Sequence, residues 1–278
     1  MTAVNLSVLL KNANKKKYAL AGLVVLGWED ALAFTQAADE TGIPIILQAG
    51  PSCRAYTPVP ILGKMFRYLA EQTKTPICCH IDHGYSLNEC KEGMDSGFTS
   101  VMYDGSKLSL KANITNTLKI AKLAKSYNVS LEGEVGIVGY HNGKISKGTN
   151  LIEAKKFAIE SGVDAMAISV GNTHLQTSKI ANIDFNKIKE IQSVTKIPLV
   201  LHGSSGISYQ MRKKIACNTN VAKFNIGTEL RMIAGNSLRE SFNKNKFFFD
   251  RLQLIKPTII KIKNQTKKVI KNIGAKNE

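Results

Sequence analysis

The chain has 278 residues, of which 44% are hydrophobic, so it can bury a sizeable core and is not an intrinsically disordered protein. Lys and Arg outnumber Asp and Glu by 38 to 21, which gives a formal net charge of +17. Arginine is sparse, no aromatic residues interleave with the lysines of residues 256–276, and no nucleic-acid-binding motif is present. The charge therefore favours a solvated surface with sites for anionic metabolites over a nucleic-acid or membrane partner.

Short apolar runs recur along the chain, and each predicts a β-strand. The runs are residues 18–25, 43–48, 76–81, 98–103, 129–135, 163–170, 197–202 and 221–226. Helical patterns lie between them, as in residues 28–42 and 110–128. Because the runs are apolar rather than alternating, they indicate a parallel sheet covered by helices.

Eight strand–helix units predict an α/β protein with a (β/α)₈ TIM barrel. We expect residues 1–278 to form a single TIM-barrel domain, with an added C-terminal helix after about residue 250. A doubly wound open sheet is the alternative, but no G-x-G-x-x-G turn follows the first strand.

Cysteine usage and the N-terminal pattern favour a cytoplasmic protein. The five cysteines include no C-x-x-C pair, which is typical of reduced thiols in the cytosol. The apolar patch LSVLL precedes its lysines, the reverse of a signal peptide, and no apolar run reaches membrane-spanning length.

The histidines fall at or near the ends of predicted strands. His83 follows the third strand, His141 lies in the loop after the fifth, His174 follows the sixth and His202 closes the seventh; His80 lies inside the third. In a barrel these positions share one mouth, so His83, His174 and His202 predict a catalytic zinc site with an open coordination position. We expect His80 to be a hydrogen-bonding residue behind the ligands or in the core.

Acidic residues reach the same mouth. Asp82 stands next to His83 and is placed to act as a general acid or base. Asp104 follows the fourth strand, and Glu132 and Glu134 lie on the fifth with the same orientation. For Glu132 we favour a structural salt-bridge network, because an isolated carboxylate in a barrel is costly.

Two glycine-rich turns, LHGSSGI and FNIGTEL, follow the last two predicted strands and lead into helices. Helix N-termini bind anions through backbone N–H groups, and barrels often hold phosphate between these two loops. Together the turns predict a phosphate site.

The ordered blocks HIDHG, SVMYDGS, LEGEVG, SVGNTHL, LHGSSG and FNIGTEL resemble the class II, zinc-dependent ketose-bisphosphate aldolases, the fructose- and tagatose-bisphosphate aldolase group, over nearly the whole chain. The resemblance implies a lyase of carbohydrate metabolism, in a glycolysis-like reaction that yields dihydroxyacetone phosphate and an aldehyde. It also implies that the protein is a homodimer or homotetramer and that its substrate is a small phosphorylated sugar.

The resemblance also implies roles for individual residues. Asp82 would be the catalytic proton donor, and His83, His174 and His202 would bind Zn²⁺. Asp104 and Glu134 would be able to hold a second divalent metal, and a monovalent cation is also compatible with the family. The residues expected to hold the phosphorylated substrate are Gly203, Ser204, Ser205, Asn225, Ile226, Gly227 and Thr228.

Some positions depart from the family pattern. The first strand reads AGLVVLGW instead of an AFN-like stretch, and Leu175 replaces a glycine. His141 and Asn142 stand where a proton-shuttling acid is expected, so we expect a substrate other than the usual ketose bisphosphate. A zinc-dependent TIM-barrel hydrolase and a basic non-catalytic binding protein derived from the fold are the alternative functions.

Overall fold

The computed structural model describes residues 2–140 and 146–273. Eight parallel strands close a barrel, which confirms the predicted TIM barrel, and each predicted run overlaps one strand. The barrel strands are β1 (Leu20–Val24), β2 (Ile45–Ala49), β3 (Ile77–Gly84), β4 (Ser100–Tyr103), β5 (Ser130–Val135), β7 (Ala165–Ile168), β9 (Leu199–Leu201) and β10 (Val221–Ile226). Strand β10 pairs with β1 and closes the circle.

Helices cover the outside of the barrel and one of its ends. They are α1 (Leu6–Lys16), α2 (Trp28–Thr41), α3 (Pro51–Tyr56), α4 (Val59–Glu71), α5 (Leu87–Asp95), α6 (Leu110–Ser126), α7 (Leu151–Glu160), α8 (Phe185–Val194), α9 (Tyr209–Asn218), α10 (Thr228–Lys244) and α11 (Arg251–Asn272), with a 3₁₀ turn at Ser204–Gly206. Helix α11 is the predicted C-terminal helix and packs against α2 and α10. No helix among the described residues is long and apolar enough to cross a bilayer.

Helix α1 closes the bottom of the barrel, at the N-terminal ends of the strands. Its buried face carries Leu6, Leu9, Leu10 and Ala13. These side chains share one apolar cluster with inward-facing strand residues. The strand residues are Leu20, Ile46, Cys78, Met102, Ala165, Ala167, Val200 and Ala222. Each leucine buried here contributes about 1.5–3 kcal/mol to the free energy of unfolding. Helix α1 therefore stabilises the end of the barrel opposite the C-terminal ends of the strands.

Two short strands, β6 (Gly139–Tyr140) and β8 (Thr173–His174), form a separate parallel pair in the loops that follow β5 and β7. Their register places Tyr140 beside His174, and the two rings stack with centroids 4.8 Å apart. The predicted loop residues His141 and Asn142 lie outside the described residues.

Candidate active site

A break in strand alternation brings two neighbouring side chains to the same mouth. In a regular strand, Asp82 and His83 would face opposite sides of the sheet. His83 instead has a φ of +51°, and the pairing of β3 with β4 shifts register between Ile81 and Gly84. His83 therefore lies within β3 rather than after it as predicted, and its ring faces the mouth that Asp82 also lines.

The three predicted zinc ligands converge. The ring centroids of His83 lie 4.6 Å from His202 and 5.4 Å from His174, and those of His174 and His202 lie 5.7 Å apart. One nitrogen from each ring can be chosen so that all three lie within 4.8 Å of one another. Residues far apart in sequence thus meet around one point.

Each of two rings has one nitrogen held by a carboxylate and the other without a hydrogen bond, although Nδ1 of His202 lies 3.4 Å from Glu134 Oε2. Nδ1 of His83 lies 2.9 Å from Asp104 Oδ2, and Nε2 of His202 lies 3.1 Å from Glu132 Oε1. The opposite nitrogens, His83 Nε2 and His202 Nδ1, are buried without a hydrogen bond. A carboxylate behind an imidazole whose other nitrogen is unpaired is the arrangement of a metal-binding histidine, so these residues fit Zn²⁺.

The surrounding acids favour positive charge at this point. Burial lowers the pKa of His83, but Asp82, Asp104 and Glu134 outweigh it and raise that pKa to about 9. Burial and repulsion by Asp104 raise the pKa of Glu134 to about 7. His83, Asp104 and Glu134 form a second group with ligand atoms within 4.8 Å of one another, which suits the second cation that the sequence resemblance allows.

Asp82 is an ionised carboxylate at the edge of this group. Burial opposes its charge, but His83, His202 and Lys223 outweigh burial and lower its pKa to about 2. Its Oδ1 accepts a hydrogen bond from Asn225 Nδ2 at 3.2 Å. Asp82 is thus fixed in orientation and charged.

A polar layer lies beneath the mouth, inside the barrel. Lys223 donates to Glu132 Oε2 at 2.6 Å, and both side chains are fully buried. His80 contacts Ser100 Oγ at 2.8 Å and Lys223 Nζ at 3.3 Å. The predicted salt-bridge role of Glu132 and the hydrogen-bonding role of His80 are confirmed, whereas Lys223 is a residue that the sequence analysis missed.

The two glycine-rich turns lie side by side. Gly203 has a φ of +60°, and a Cβ there would lie 2.2 Å from Thr173 O, so only glycine fits. Ser205 Oγ accepts hydrogen bonds from the backbone N–H groups of Gly227 and Glu229, at 3.3 and 3.2 Å, which ties the turns together.

Cationic side chains hold the first turn from outside. Arg212 donates to the carbonyl oxygen of Ser204, and Lys179 donates to that of Ser205 at 2.8 Å. Glu229 pairs with both cations. With these carbonyl groups directed outward, the turn is suited to present backbone N–H groups to an anion.

Most of the predicted phosphate-binding residues line one cleft next to Asp82 and His174. Those that line it are Gly203, Ser205, Asn225, Gly227 and Thr228. Two others direct their side chains elsewhere. Ser204 Oγ donates to Leu201 O at 2.7 Å, and Ile226 packs in the outer hydrophobic core, so only their backbones are available to a ligand.

Arg231, in the first turns of α10, also lines the cleft and was missed. Its Nε is buried without a hydrogen bond. Its position three residues after Thr228, on the same helix face, is the sequence signal that could have identified it. Leu175, which replaces the expected glycine, lines the same cleft with a φ of +60°.

Comparisons with known proteins agree with this geometry. The family model described as "Fructose-bisphosphate aldolase class-II" matches residues 4–278. A 6-phospho-5-dehydro-2-deoxy-D-gluconate aldolase of Shouchella clausii is 32% identical, over 100% of this chain and 97% of the relative. A fructose-bisphosphate aldolase of Staphylococcus aureus is 30% identical, over 100% and 99%. The crystal structure of the YdjI aldolase from Escherichia coli K12 superposes with a TM-score of 0.87 at 26% identity, over 98% of this chain and 97% of that one.

Proposed function

We propose that this chain, which belongs to the class II fructose-bisphosphate aldolase family and is a lyase, is a zinc-dependent aldolase acting on a phosphorylated ketose. It would cleave or form one C–C bond and give dihydroxyacetone phosphate and an aldehyde. The observation that carries the proposal is the convergence of His83, His174 and His202 beside Asp82 and the cleft formed by the glycine-rich turns.

The three histidines would hold the zinc ion, with Asp104 and Glu134 close enough to hold a second divalent cation. Bound zinc would supply Lewis-acid polarisation of the substrate's carbonyl and hydroxyl oxygens. No lysine is then needed to form a Schiff base. Lys223 is suited to a different role, because its amine is already paired with Glu132 below the mouth.

Asp82 would move the proton at the bond that breaks. In cleavage, the carboxylate takes the O–H proton of the hydroxyl on the far carbon of that bond, and this carbon becomes the aldehyde. The electron pair of the C–C bond passes toward the ketone and leaves an enediolate, whose carbon then takes a proton from solvent to give dihydroxyacetone phosphate. In condensation, the same carboxyl group returns its proton to the new alkoxide. Asn225 supports both directions by fixing Asp82.

The phosphate would bind between the two turns. Backbone N–H groups of Gly203 to Ser205 and of Thr228, with the positive end of the α10 dipole, favour a dianion. The N–H groups of Gly227 and Glu229 are held by Ser205 Oγ and support the site indirectly. Arg231 adds a cation whose Nε makes no hydrogen bond within the protein. Arg212 and Lys179 support the site indirectly, because they hold the carbonyl groups of the first turn away from it.

The named substrates of the relatives share one half. A 6-phospho-5-dehydro compound carries its phosphate on the carbon next to its ketone, as fructose bisphosphate also does. Cleavage between the carbons α and β to either ketone gives dihydroxyacetone phosphate. The second product is an aldehyde that carries a carboxylate when the substrate is the gluconate derivative and a phosphate when it is fructose bisphosphate. We propose that the aldehyde product of this chain differs from that of the usual ketose bisphosphate, because His141 and Asn142 replace the expected acid.

A metal-depletion experiment tests the function. The purified protein is stripped with a chelator, and dihydroxyacetone phosphate release is measured on fructose bisphosphate, tagatose bisphosphate and 6-phospho-5-dehydro-2-deoxygluconate before and after zinc add-back. We expect cleavage that is lost and then restored by zinc. Metal-independent turnover, or no cleavage of any phosphorylated ketose by zinc-loaded protein, would contradict the function. High turnover of fructose or tagatose bisphosphate would contradict only the unusual substrate.

A further inference from the structure

The peptide that carries Asp82 and His83 adopts an unfavourable backbone conformation. A φ of +51° places His83 in the left-handed region, which side chains with a Cβ rarely adopt. Such conformations persist only where surrounding contacts impose them, and they cluster at functional sites. Some group must therefore hold this turn.

The guanidinium of Arg54, on α3, contacts this turn directly. Nη1 donates to Asp82 O at 2.6 Å, and Nη2 donates to His83 O at 2.9 Å. Nη1 also donates to Ala49 O at the end of β2, at 2.6 Å. The Arg54 side chain is only 9% exposed, so little water can replace these bonds.

We propose that Arg54 is a positioning residue that holds the left-handed turn at His83, so that Asp82 and His83 face the same mouth. The planar fork of arginine places N–H donors in fixed directions on two separate nitrogens and here reaches three carbonyl groups at once. The ammonium of lysine carries its three donors on a single nitrogen and cannot reproduce this geometry. Without the fork, all three carbonyl groups lose this donor, two of them at Asp82 and His83, and strand β3 gains freedom to resume its alternation. The proposal rests on the roles given above to Asp82 and His83, although the contacts themselves do not depend on those roles.

Glu89 provides a matched control for charge. Its Oε2 lies 3.3 Å from Arg54 Nη2, and its side chain is 40% exposed. Glu89→Gln removes the ion pair but leaves the three bonds to carbonyl groups. If Arg54 acts through the carbonyl groups, this variant should resemble the wild type.

The experiment compares Arg54→Ala, Arg54→Lys and Glu89→Gln. Zinc affinity is measured by chelator competition, the ligand field by the absorption of the cobalt-substituted protein, and kcat and KM on the ketose that the wild type cleaves. For Arg54→Ala we expect zinc affinity and kcat each to fall about 10- to 100-fold, as when other residues behind metal ligands are removed. The cobalt spectrum should change, and dilute guanidinium should restore part of kcat. We expect Arg54→Lys to fold, so it provides the test if Arg54→Ala does not fold. In Arg54→Lys, kcat should fall by a larger factor than KM rises. Glu89→Gln should change each quantity less than about threefold.

Wild-type zinc affinity, cobalt spectrum and kcat in a folded Arg54→Lys or Arg54→Ala protein would overturn the proposal. Equal losses in Glu89→Gln would also overturn it, because the ion pair would then be responsible. A crystal structure of a folded Arg54 variant separates this inference from the proposed function. We expect His83 to leave the left-handed region there, even if the wild type proves not to be an aldolase, and an unchanged turn would refute the positioning role.

Discussion

The two ends of the barrel are built from the same strands but differ in what they bury: apolar side chains at the bottom and polar groups at the mouth. At the bottom, Leu6, Leu9 and Leu10 of α1 fill the barrel against other apolar side chains. At the mouth, the buried nitrogens His83 Nε2 and His202 Nδ1 make no hydrogen bond. Burying polar atoms without partners costs stability, so the mouth is maintained at the expense of stability gained elsewhere.

Strand β3 shows how one element serves both ends. Cys78 belongs to the apolar cluster that α1 forms at the bottom, while Asp82 and His83 line the mouth. Between them, His80 lies in the buried polar layer with Lys223. The comparison therefore predicts that substitutions at the mouth affect chemistry, those at the bottom affect stability, and those in the middle affect both.

The largest effect is expected at the mouth. His202→Ala removes one of three converging imidazoles and should lower kcat/KM about 10³- to 10⁴-fold, since metal polarisation contributes several kcal/mol. We expect zinc content to fall well below one ion per chain while the circular dichroism spectrum stays unchanged. Zinc content by mass spectrometry of native protein checks this. A fully zinc-loaded, active variant would show that His202 is not a ligand.

The middle layer should couple both ends. Lys223→Met leaves Glu132 as a buried carboxylate without its ammonium partner, and we expect the free energy of unfolding to fall by about 3–5 kcal/mol. Because Glu132 also holds Nε2 of His202, zinc affinity should fall too. Denaturant unfolding of the zinc-free proteins measures the first effect. The double variant Lys223→Met/Glu132→Gln should recover part of the lost stability, and no recovery would argue against the buried pair as the cause.

The bottom should respond in stability alone. Leu10→Ala creates a cavity under the barrel and should lower the free energy of unfolding by about 2–5 kcal/mol. Below the transition temperature kcat should equal that of the wild type, which thermal unfolding and steady-state kinetics together check. Val8→Ala, at a position of the same helix that is 61% exposed, is the matched control and should cost much less. A large change in kcat for Leu10→Ala would show that the bottom of the barrel affects catalysis as well as stability, contrary to this prediction.

Local sequence pattern was enough to predict the strands and the histidine cluster. The apolar runs are bounded by Gly or Pro, and parallel strands oblige their carboxyl ends to share a mouth. Two contacts depend on the closed barrel and are not encoded by any local pattern. Lys223 and Glu132 are 91 residues apart and meet only once the barrel closes. Arg54 reaches His83 across 29 residues, and it holds a turn whose φ the sequence of β3 does not reveal.

Helix α1 shows a different limit. The sequence LSVLL predicts only a short apolar patch, yet its leucines fill the bottom of the barrel. Its leucines have helical spacing, but no periodicity states which surface a helix covers. Docking at the bottom follows from the size of the gap left by small strand residues such as Ala165 and Ala222, and thus from the closed barrel as a whole.

The smallest effect is expected at the edge of the mouth. Arg231→Ala removes the cleft's guanidinium, whose Nε makes no hydrogen bond within the protein. Loss of a hydrogen bond to a charged group, about 1.5–3 kcal/mol, corresponds to a rise of about 10- to 150-fold in KM for the phosphorylated ketose. Inhibition by inorganic phosphate should weaken by a similar factor, whereas zinc content should stay unchanged. Arg239→Ala, on an exposed turn of the same helix, is the matched control and should leave KM unaltered. If kcat and zinc content fell in Arg231→Ala while KM stayed constant, Arg231 would belong to the metal centre, and the division between phosphate cleft and histidine cluster would need to be redrawn.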